Sequence, residues 1–468
     1  MRIAFLHYHL RPGGVTSVIK SQISTINDVC ETVALTSQPP DRDIGTEIIT
    51  VPLLAYESEL GGKSDAEELA DSIEEAVGKK WPGGCDILHV HNPTLGKNRK
   101  LTGALNILNR RGYHLFLQIH DFAEDGRPHI YSEEEYVHNA HYGVINSRDY
   151  KILRKAGLKK EGVHLLENKV TPFNIDSLSN NGLILYPVRA IRRKNIGEAI
   201  LLSLFLDKDQ TIGITLPPNS PDDYNIYKEW KKFIKTQNIN VRLDVALKTN
   251  FIELVRNAKY MITTSINEGF GFTFLEPWTA SKMVFGRSLP HVCNDFANKG
   301  VKMDHLYSSF DIPIECFDVN GFFKEWEKMV LLYANGFNHR ISKKKIENGF
   351  EWIIKNDRID FKYLSEDFQS EAILKIMSSQ RLKNKTLEYN PWIAKLQNFT
   401  PDPEIIEHNN RIVRNYYGDR DYKRRLLRIY EKVRDVAVEQ RIDKKVVLKE
   451  FFDLKNFSML RWKNGSNG

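Results

Sequence analysis

Over the first 170 residues, short apolar runs alternate with stretches whose apolar positions recur at helical spacing. The runs Ile3–Tyr8, Glu31–Leu35, Glu47–Val51, Asp86–Val90, Leu115–Ile119, Tyr142–Asn146 and His164–Leu166 predict strands. Between them, Thr16–Ile26, Asp65–Val77, Gly103–Arg110 and Arg148–Ala156 predict helices. Such alternation implies a parallel sheet covered on both faces. A polar stretch rich in turn formers, Asn168 to Gly182, then interrupts the pattern and predicts a domain boundary. The alternation restarts with Leu183–Val188, Thr211–Leu216, Asn240–Val245 and Tyr260–Ser265 as strands. Ile196–Phe205, Asp222–Thr236, Asn250–Ala258 and Phe272–Ser281 predict the helices of this second doubly wound unit. Two such units imply a cleft at the carboxyl ends of their strands, where open α/β sheets bind ligands. Beyond about residue 320 the strand signal fades, and Gly321–Tyr333, Ser365–Met377, Pro403–Tyr416, Asp421–Val438 and Lys444–Phe452 predict helices. In the fourth of these, Tyr422, Leu426, Ile429, Val433 and Val436 draw one apolar stripe. The expected organisation is an N-terminal Rossmann-like domain over 1–175, a second over 176–345, and a helical tail over 346–468 that packs back on the first.

Composition narrows the class. Of the 468 residues, 41% are hydrophobic and 27% charged, which excludes wholesale disorder. No apolar run reaches the ~18 residues of a membrane span. Cys30, Cys85, Cys293 and Cys316 are scattered without a CxxC pair. That argues against a disulfide framework or zinc knuckle and fits a reducing, cytoplasmic setting. Met1-Arg2 leads directly into the first strand pattern, without the pattern of a signal peptide. Charge is uneven: residues 341–468 hold 27 Lys/Arg and 19 Asp/Glu, a net of +8, against a total of +7, so the remainder carries −1. A basic tail can meet phosphate, nucleic acid or an anionic membrane, and the segment Asp443–Trp462 mixes lysines with apolar residues. The acids interspersed there and the absence of a recognition motif argue against nucleic acid. A stripe that needs a packing partner favours docking on the protein over peripheral membrane contact.

Candidate chemistry lies at strand ends. After the first strand, Arg11-Pro12-Gly13-Gly14-Val15 enters a helix; its two glycines allow close backbone approach, and the helix start can accept an anion, though a plain tight turn explains them equally. It is not a GxGxxG dinucleotide fingerprint. His120-Asp121 follows an apolar strand, where a histidine can donate to a sugar or satisfy loop backbone. His89 and His91 read as polar strand-tip residues bonded to local backbone. Arg189-Ala190-Ile191-Arg192-Arg193-Lys194-Asn195 crowds cations where a strand turns into a helix, and Arg189 and Lys194 can converge on a diphosphate. The most specific pattern is Glu268-Gly269-Phe270-Gly271-Phe272 through Glu276, an E-x7-E pair around two glycines. A carboxylate such as Glu276 accepts two vicinal ribose hydroxyls, and the Phe270-Gly271-Phe272 amides can face a sugar. Asp41-Arg42-Asp43 and Asp419-Arg420-Asp421 read as turn and helix-start residues rather than metal ligands.

In this order and spacing, over about residues 1–290, these motifs resemble those of the retaining family 4 glycosyltransferases, enzymes of the GT-B fold. The resemblance implies Gly13 and Gly14 beside the donor phosphates, Arg189 and Lys194 on the diphosphate and Glu276 on the ribose. It places Glu268 with the Phe270, Gly271 and Phe272 amides on the donor sugar, and His120 beside that sugar in the cleft. It implies transfer of a hexose from a nucleotide-diphosphate sugar to a hydroxyl acceptor with the anomeric configuration retained. The leaving diphosphate would take the acceptor's proton, with no metal and no other cofactor. The chain departs from the family at Asn195, where a glycine is common, and at Phe285-Gly286-Arg287-Ser288-Leu289-Pro290, which stands in place of the usual strand and glycine-rich loop. A sugar phosphorylase on the same fold and a non-catalytic sugar-nucleotide-binding protein are the competing readings. An epimerase lacks an identifiable acid/base pair.

Overall fold

The computed structural model describes residues 1–60, 65–173, 175, 181–397 and 399–461. They form two compact units, one of Met1–Lys169 with Asn415–Phe452, the other of Val170–Arg414 with the described residues from Asp453 onward. The expected boundary near 176 falls on residues 176–180, outside the described residues, as does Trp462. The segment from 346, read as one tail, is shared: 346–414 belongs to the second unit and 415–452 to the first.

The first unit is built on a parallel seven-stranded sheet. Its strands are β1 (Arg2–Leu6), β2 (Glu31–Thr36), β3 (Glu47–Thr50), β4 (Ile87–His91), β5 (Leu115–Ile119), β6 (His141–Val144) and β7 (Val163–Leu165), in spatial order β3-β2-β1-β4-β5-β6-β7. β4 and β5 are buried along their whole length, as central strands of a parallel sheet covered on both faces are, with His89, His91 and Gln118 set among their apolar residues. The order reverses between β1 and β4, so their carboxyl ends flank the crevice where such sheets take ligands. The helix Asp419–Asp435 is integral to this unit. Its Tyr422, Leu426, Ile429, Tyr430 and Val433 join Phe5, Ile19, Ile23 and Phe116 in one core cluster. Gln22 donates to the Tyr422 hydroxyl at 2.8 Å, and Tyr430 bonds His89 Nδ1 at 2.9 Å. The helix Lys444–Phe451 adds Val447 and Phe451 to the cluster on the other face. Asp419 begins the first of these helices and meets Lys169; Asp43 accepts from the Gly45 amide in a turn.

The second unit carries a parallel five-stranded sheet of β8 (Leu183–Arg189), β9 (Thr211–Leu216), β10 (Val241–Arg242), β11 (Ala258–Thr263) and β12 (Val284–Gly286), ordered β10-β9-β8-β11-β12. Three differences from the sequence expectation matter. Val284–Gly286 is a strand, pairing in parallel with β11, so the usual strand is not replaced. The helix expected over 272–281 is instead a 3-10 turn, Phe272–Phe274, and a four-residue helix, Glu276–Thr279. Pro277 lacks the amide needed to continue the first turn and is tolerated only where a helix restarts. A small antiparallel sheet of β13 (Asp311–Pro313), β14 (Ile354–Lys355) and β15 (Arg358–Asp360) lies beyond residue 310, where no strand was expected. No described helix is long and apolar enough to cross a membrane.

Candidate functional site

In the second sheet the order reverses between β8 and β11, and the turn after β8 is stapled to the loop after β11. The Tyr186 hydroxyl donates to the Lys194 carbonyl at 2.8 Å, Thr264 Oγ1 to the Lys194 and Asn195 carbonyls at 3.0 Å, and the Ile266 amide to the Arg193 carbonyl at 3.0 Å. Asn195 closes the turn in the left-handed region (φ 49°, ψ 55°). That conformation is the one glycine adopts most readily. Asparagine also adopts it, and its side chain adds a 2.8 Å bond to Glu198 and a 2.9 Å bond from Gln369.

The staple sets Lys194 Nζ against Glu268 Oε1 as an ion pair, with side chains 12% and 10% exposed. Burial lowers the Lys194 pKa, opposed by Glu268. Burial pushes Glu268 up, but the Lys194 and Arg193 charges outweigh it and hold the carboxylate below its ordinary range. Arg193 thus acts on both partners, whereas the sequence singles out Arg189 and Lys194 from this run, for a diphosphate. Arg189 is exposed, and its guanidinium donates to the Pro217 carbonyl at 3.3 Å, so its recorded contact leads to the loop after β9. Arg192 pairs with Glu366 at 2.6 Å and braces the fold.

The rest of the E-x7-E motif divides between fold and surface. Gly271 is left-handed (φ 91°), and a Cβ there would fall 2.6 Å from Val292 Cγ1, so the fold itself requires this glycine. The Phe270 ring is buried edge-on against Phe272 and Phe296. Glu276 opens the short helix before Pro277; its carboxylate has no side-chain partner among the described residues, and burial lifts its pKa to about 7. Beneath the turn lies a group whose connections the sequence did not reveal. Arg287, fully buried, donates to Glu198 at 2.9 and 2.6 Å and to Asp360 at 2.9 and 2.6 Å, and Tyr307 donates to Glu198 at 2.7 Å. Burial works against the guanidinium charge, but the two carboxylates more than offset it. Through Glu198 this network reaches Asn195 and so the Lys194 turn.

In the first unit, Gly13 and Gly14 start the helix Gly14–Ile26 after β1. Gly13 is extended, and a Cβ on Gly14 would meet nothing within 4 Å, so the fold demands glycine at neither position. His120 lies at the end of β5, buried, with Nε2 2.9 Å from His91 Nδ1. Its amide and that of Asp121 both donate to Asn92 Oδ1, at 2.7 and 3.1 Å. Burial lowers the His120 pKa to about 4, against the Asp121 charge, so the ring is neutral at pH 7. Asp121 itself pairs with Arg127 at 2.7 Å.

No family model matches the chain. Across 97% of its length it is 24% identical to a mannosylglucosyl-3-phosphoglycerate synthase of Petrotoga mobilis, covering 98% of that protein. Over 92% of its length it superposes on two solved structures. One is a sucrose-phosphate synthase of Thermosynechococcus elongatus (TM-score 0.52, 12% identity, 98% of that chain). The other is HepE of Anabaena in complex with UDP (TM-score 0.53, 11% identity, 99% of that chain). The fold is GT-B, with two Rossmann-like units.

Proposed function

We propose that this chain, a GT-B glycosyltransferase, moves a hexose from a nucleotide-diphosphate sugar to a hydroxyl acceptor with retention of configuration. The observation that carries the reading is the buried Lys194–Glu268 pair at the reversal of the second sheet. A largely buried ammonium meets charge on a leaving diphosphate far more strongly than it would in solution. Arg193 and Arg189 add positive charge at the same strand end. Glu276, without a side-chain partner among the described residues and about half ionised at pH 7, regains a full charge when two ribose hydroxyls donate to it. Gly13 and Gly14 leave the helix start open to phosphate oxygens, and His120 offers a neutral imidazole to the sugar.

In the transfer step the C1–oxygen bond to the diphosphate breaks while the acceptor oxygen bonds C1 on the same face. The acceptor's proton passes to the departing phosphate oxygen. Glu268 is engaged by Lys194 and is assigned to sugar hydroxyls rather than to attack on C1. Charge neutralisation is assigned to side chains, so the rate should be unchanged by a metal chelator. The Petrotoga relative is named for a glycosylated phosphoglycerate, which makes a phosphoglycerate-bearing glycoside the first acceptor to test. Proton and phosphorus NMR of the full chain with UDP-, GDP- and ADP-sugars and that acceptor should show one donor consumed. The nucleoside diphosphate should be released and an α-donor should give an α-glycoside. An inverted product would remove the retaining mechanism, and sugar 1-phosphate formed from orthophosphate would mark a phosphorylase.

A further inference from the structure

The carboxyl ends of β1, β4 and β5 gather histidines from distant parts of the sequence. His7 follows β1, His91 ends β4 and His120 follows β5. The His91 and His120 rings meet edge to edge in nearly one plane, 5.2 Å between centroids and 9° from parallel, and His91 stacks on His89 at 4.3 Å. His7 Nδ1 lies 3.1 Å from the His91 carbonyl, which can only accept, so His7 carries its proton on Nδ1. Asn92, left-handed at φ 54°, accepts from the His120 and Asp121 amides and fixes the backbone there. The residue pair 91–92 therefore holds both the ring and the main chain of His120.

One proton lies between His91 Nδ1 and His120 Nε2, and the surroundings decide its owner. His91 is completely buried, and its Nε2 has no partner among the described residues. Were His120 the donor, neutral His91 would carry its proton on Nε2, leaving a buried N–H with nothing to accept it. Were His91 the donor, its Nε2 would be a bare lone pair, the lesser loss, since orphaned N–H groups are rarer in folded proteins than under-used acceptors. Burial among neighbouring imidazoles keeps His91 from holding both protons. With Nε2 of His120 accepting, its own proton sits on Nδ1, a nitrogen that is not among the buried, partnerless atoms.

We propose that His91 is a positioning residue that fixes His120 in the Nδ1–H tautomer, so that His120 presents a hydrogen-bond donor, and not an acceptor, at the end of β5. The functional part rests on the transferase reading of His120; the tautomer does not. Long-range 1H–15N correlation spectra of the full chain with 15N-labelled imidazoles, at pH 7.5, read it directly. His91→Phe and His120→Phe supply the assignments. Wild-type His120 should show a protonated Nδ1 and a bare Nε2. His91→Phe keeps an aromatic ring but removes the donor, and a population of His120 protonated at Nε2 should appear. A wild-type His120 protonated at Nε2, or one indifferent to His91→Phe, overturns the proposal; the wild-type spectrum alone decides if the variant does not fold. In turnover, His91→Phe should lower kcat about tenfold with the donor KM unchanged. A wild-type kcat in His91→Phe beside a depressed one in His120→Phe defeats the positioning role. Wild-type rates in both remove His120 from the transferase reading and leave the tautomer assignment to the spectra.

Discussion

Replacing Glu276 by glutamine should make the unliganded protein more stable and its nucleotide affinity worse. The carboxyl has an ordinary value of 4.5 and is lifted to about 7 by burial. The folded state therefore binds the proton more tightly than the unfolded chain does. Stability from this group is fully present below pH 4.5 and is lost as pH rises through about 7. The gap of ~2.5 pH units corresponds to about 3 kcal/mol of destabilisation by the ionised carboxylate at pH 8, an upper figure because part of the side chain reaches solvent. Glutamine is isosteric and carries no charge. The variant should match the wild type near pH 4.5 and exceed it by up to ~3 kcal/mol at pH 8, or about 6–12 °C in a unit of this size. Melts of both proteins at pH 5, 6, 7 and 8 give the difference, in which all other titrations cancel. Nucleoside diphosphate affinity of the wild type should climb with pH up to about 7 and flatten above it, and Glu276→Gln should lose both the slope and much of the affinity. A variant less stable than wild type at pH 8, or a gap that does not change with pH, would refute the reasoning.

Glu268→Gln should depress kcat more than nucleoside diphosphate affinity, because it frees Lys194 from its pair and removes the sugar contact proposed for Glu268; steady-state kinetics beside calorimetry separate the two. Asn195→Ala should destabilise the second unit by about 1–2 kcal/mol, the cost of the left-handed conformation, whereas Asn195→Gly should lose less; urea melts of the two variants check the order. Leu426→Ala in the helix Asp419–Asp435 should cost about 2–5 kcal/mol and lower the first unit's midpoint in a denaturant melt, since Leu426 is fully buried beside the sheet.

Periodicity carried the larger part of the fold. β4 and β5 are mostly apolar on both faces, because both faces of a central parallel strand are covered, and only His89, His91 and Gln118 interrupt them. The stripe Tyr422-Leu426-Ile429-Val433 marks a packing helix, and those four side chains are buried, whereas Val436, expected on the same stripe, caps the helix and is exposed. What periodicity could not carry were elements too short to have one: β13, β14 and β15 have two or three residues each. Pro277 signals the broken helix at Glu276, although the apolar pattern across it predicts one continuous helix. In the candidate site, motif spacing located Lys194, Glu268 and Glu276, because glycines and paired carboxylates leave a local trace. Arg287, Glu198 and Asp360 leave none. They lie far apart in sequence, and a buried arginine looks like any surface arginine until its partners are known. The same holds for His91, whose role depends on a ring 29 residues away. Arg193 could have been weighed from the cation run, but only the stapled turn shows its charge acting on Lys194 and Glu268.

The central claim is that the Lys194 turn holds the diphosphate of a nucleotide donor. Calorimetric titration of UDP, GDP and ADP into the wild-type chain and into Lys194→Ala tests it most directly. One nucleoside diphosphate should bind the wild type at a single site. Lys194→Ala should bind it about ten- to hundredfold more weakly, as expected for loss of a charge-assisted bond worth roughly 1.5–3 kcal/mol. Equal affinity in the two proteins, or no binding of any of the three to the wild type, would contradict the account.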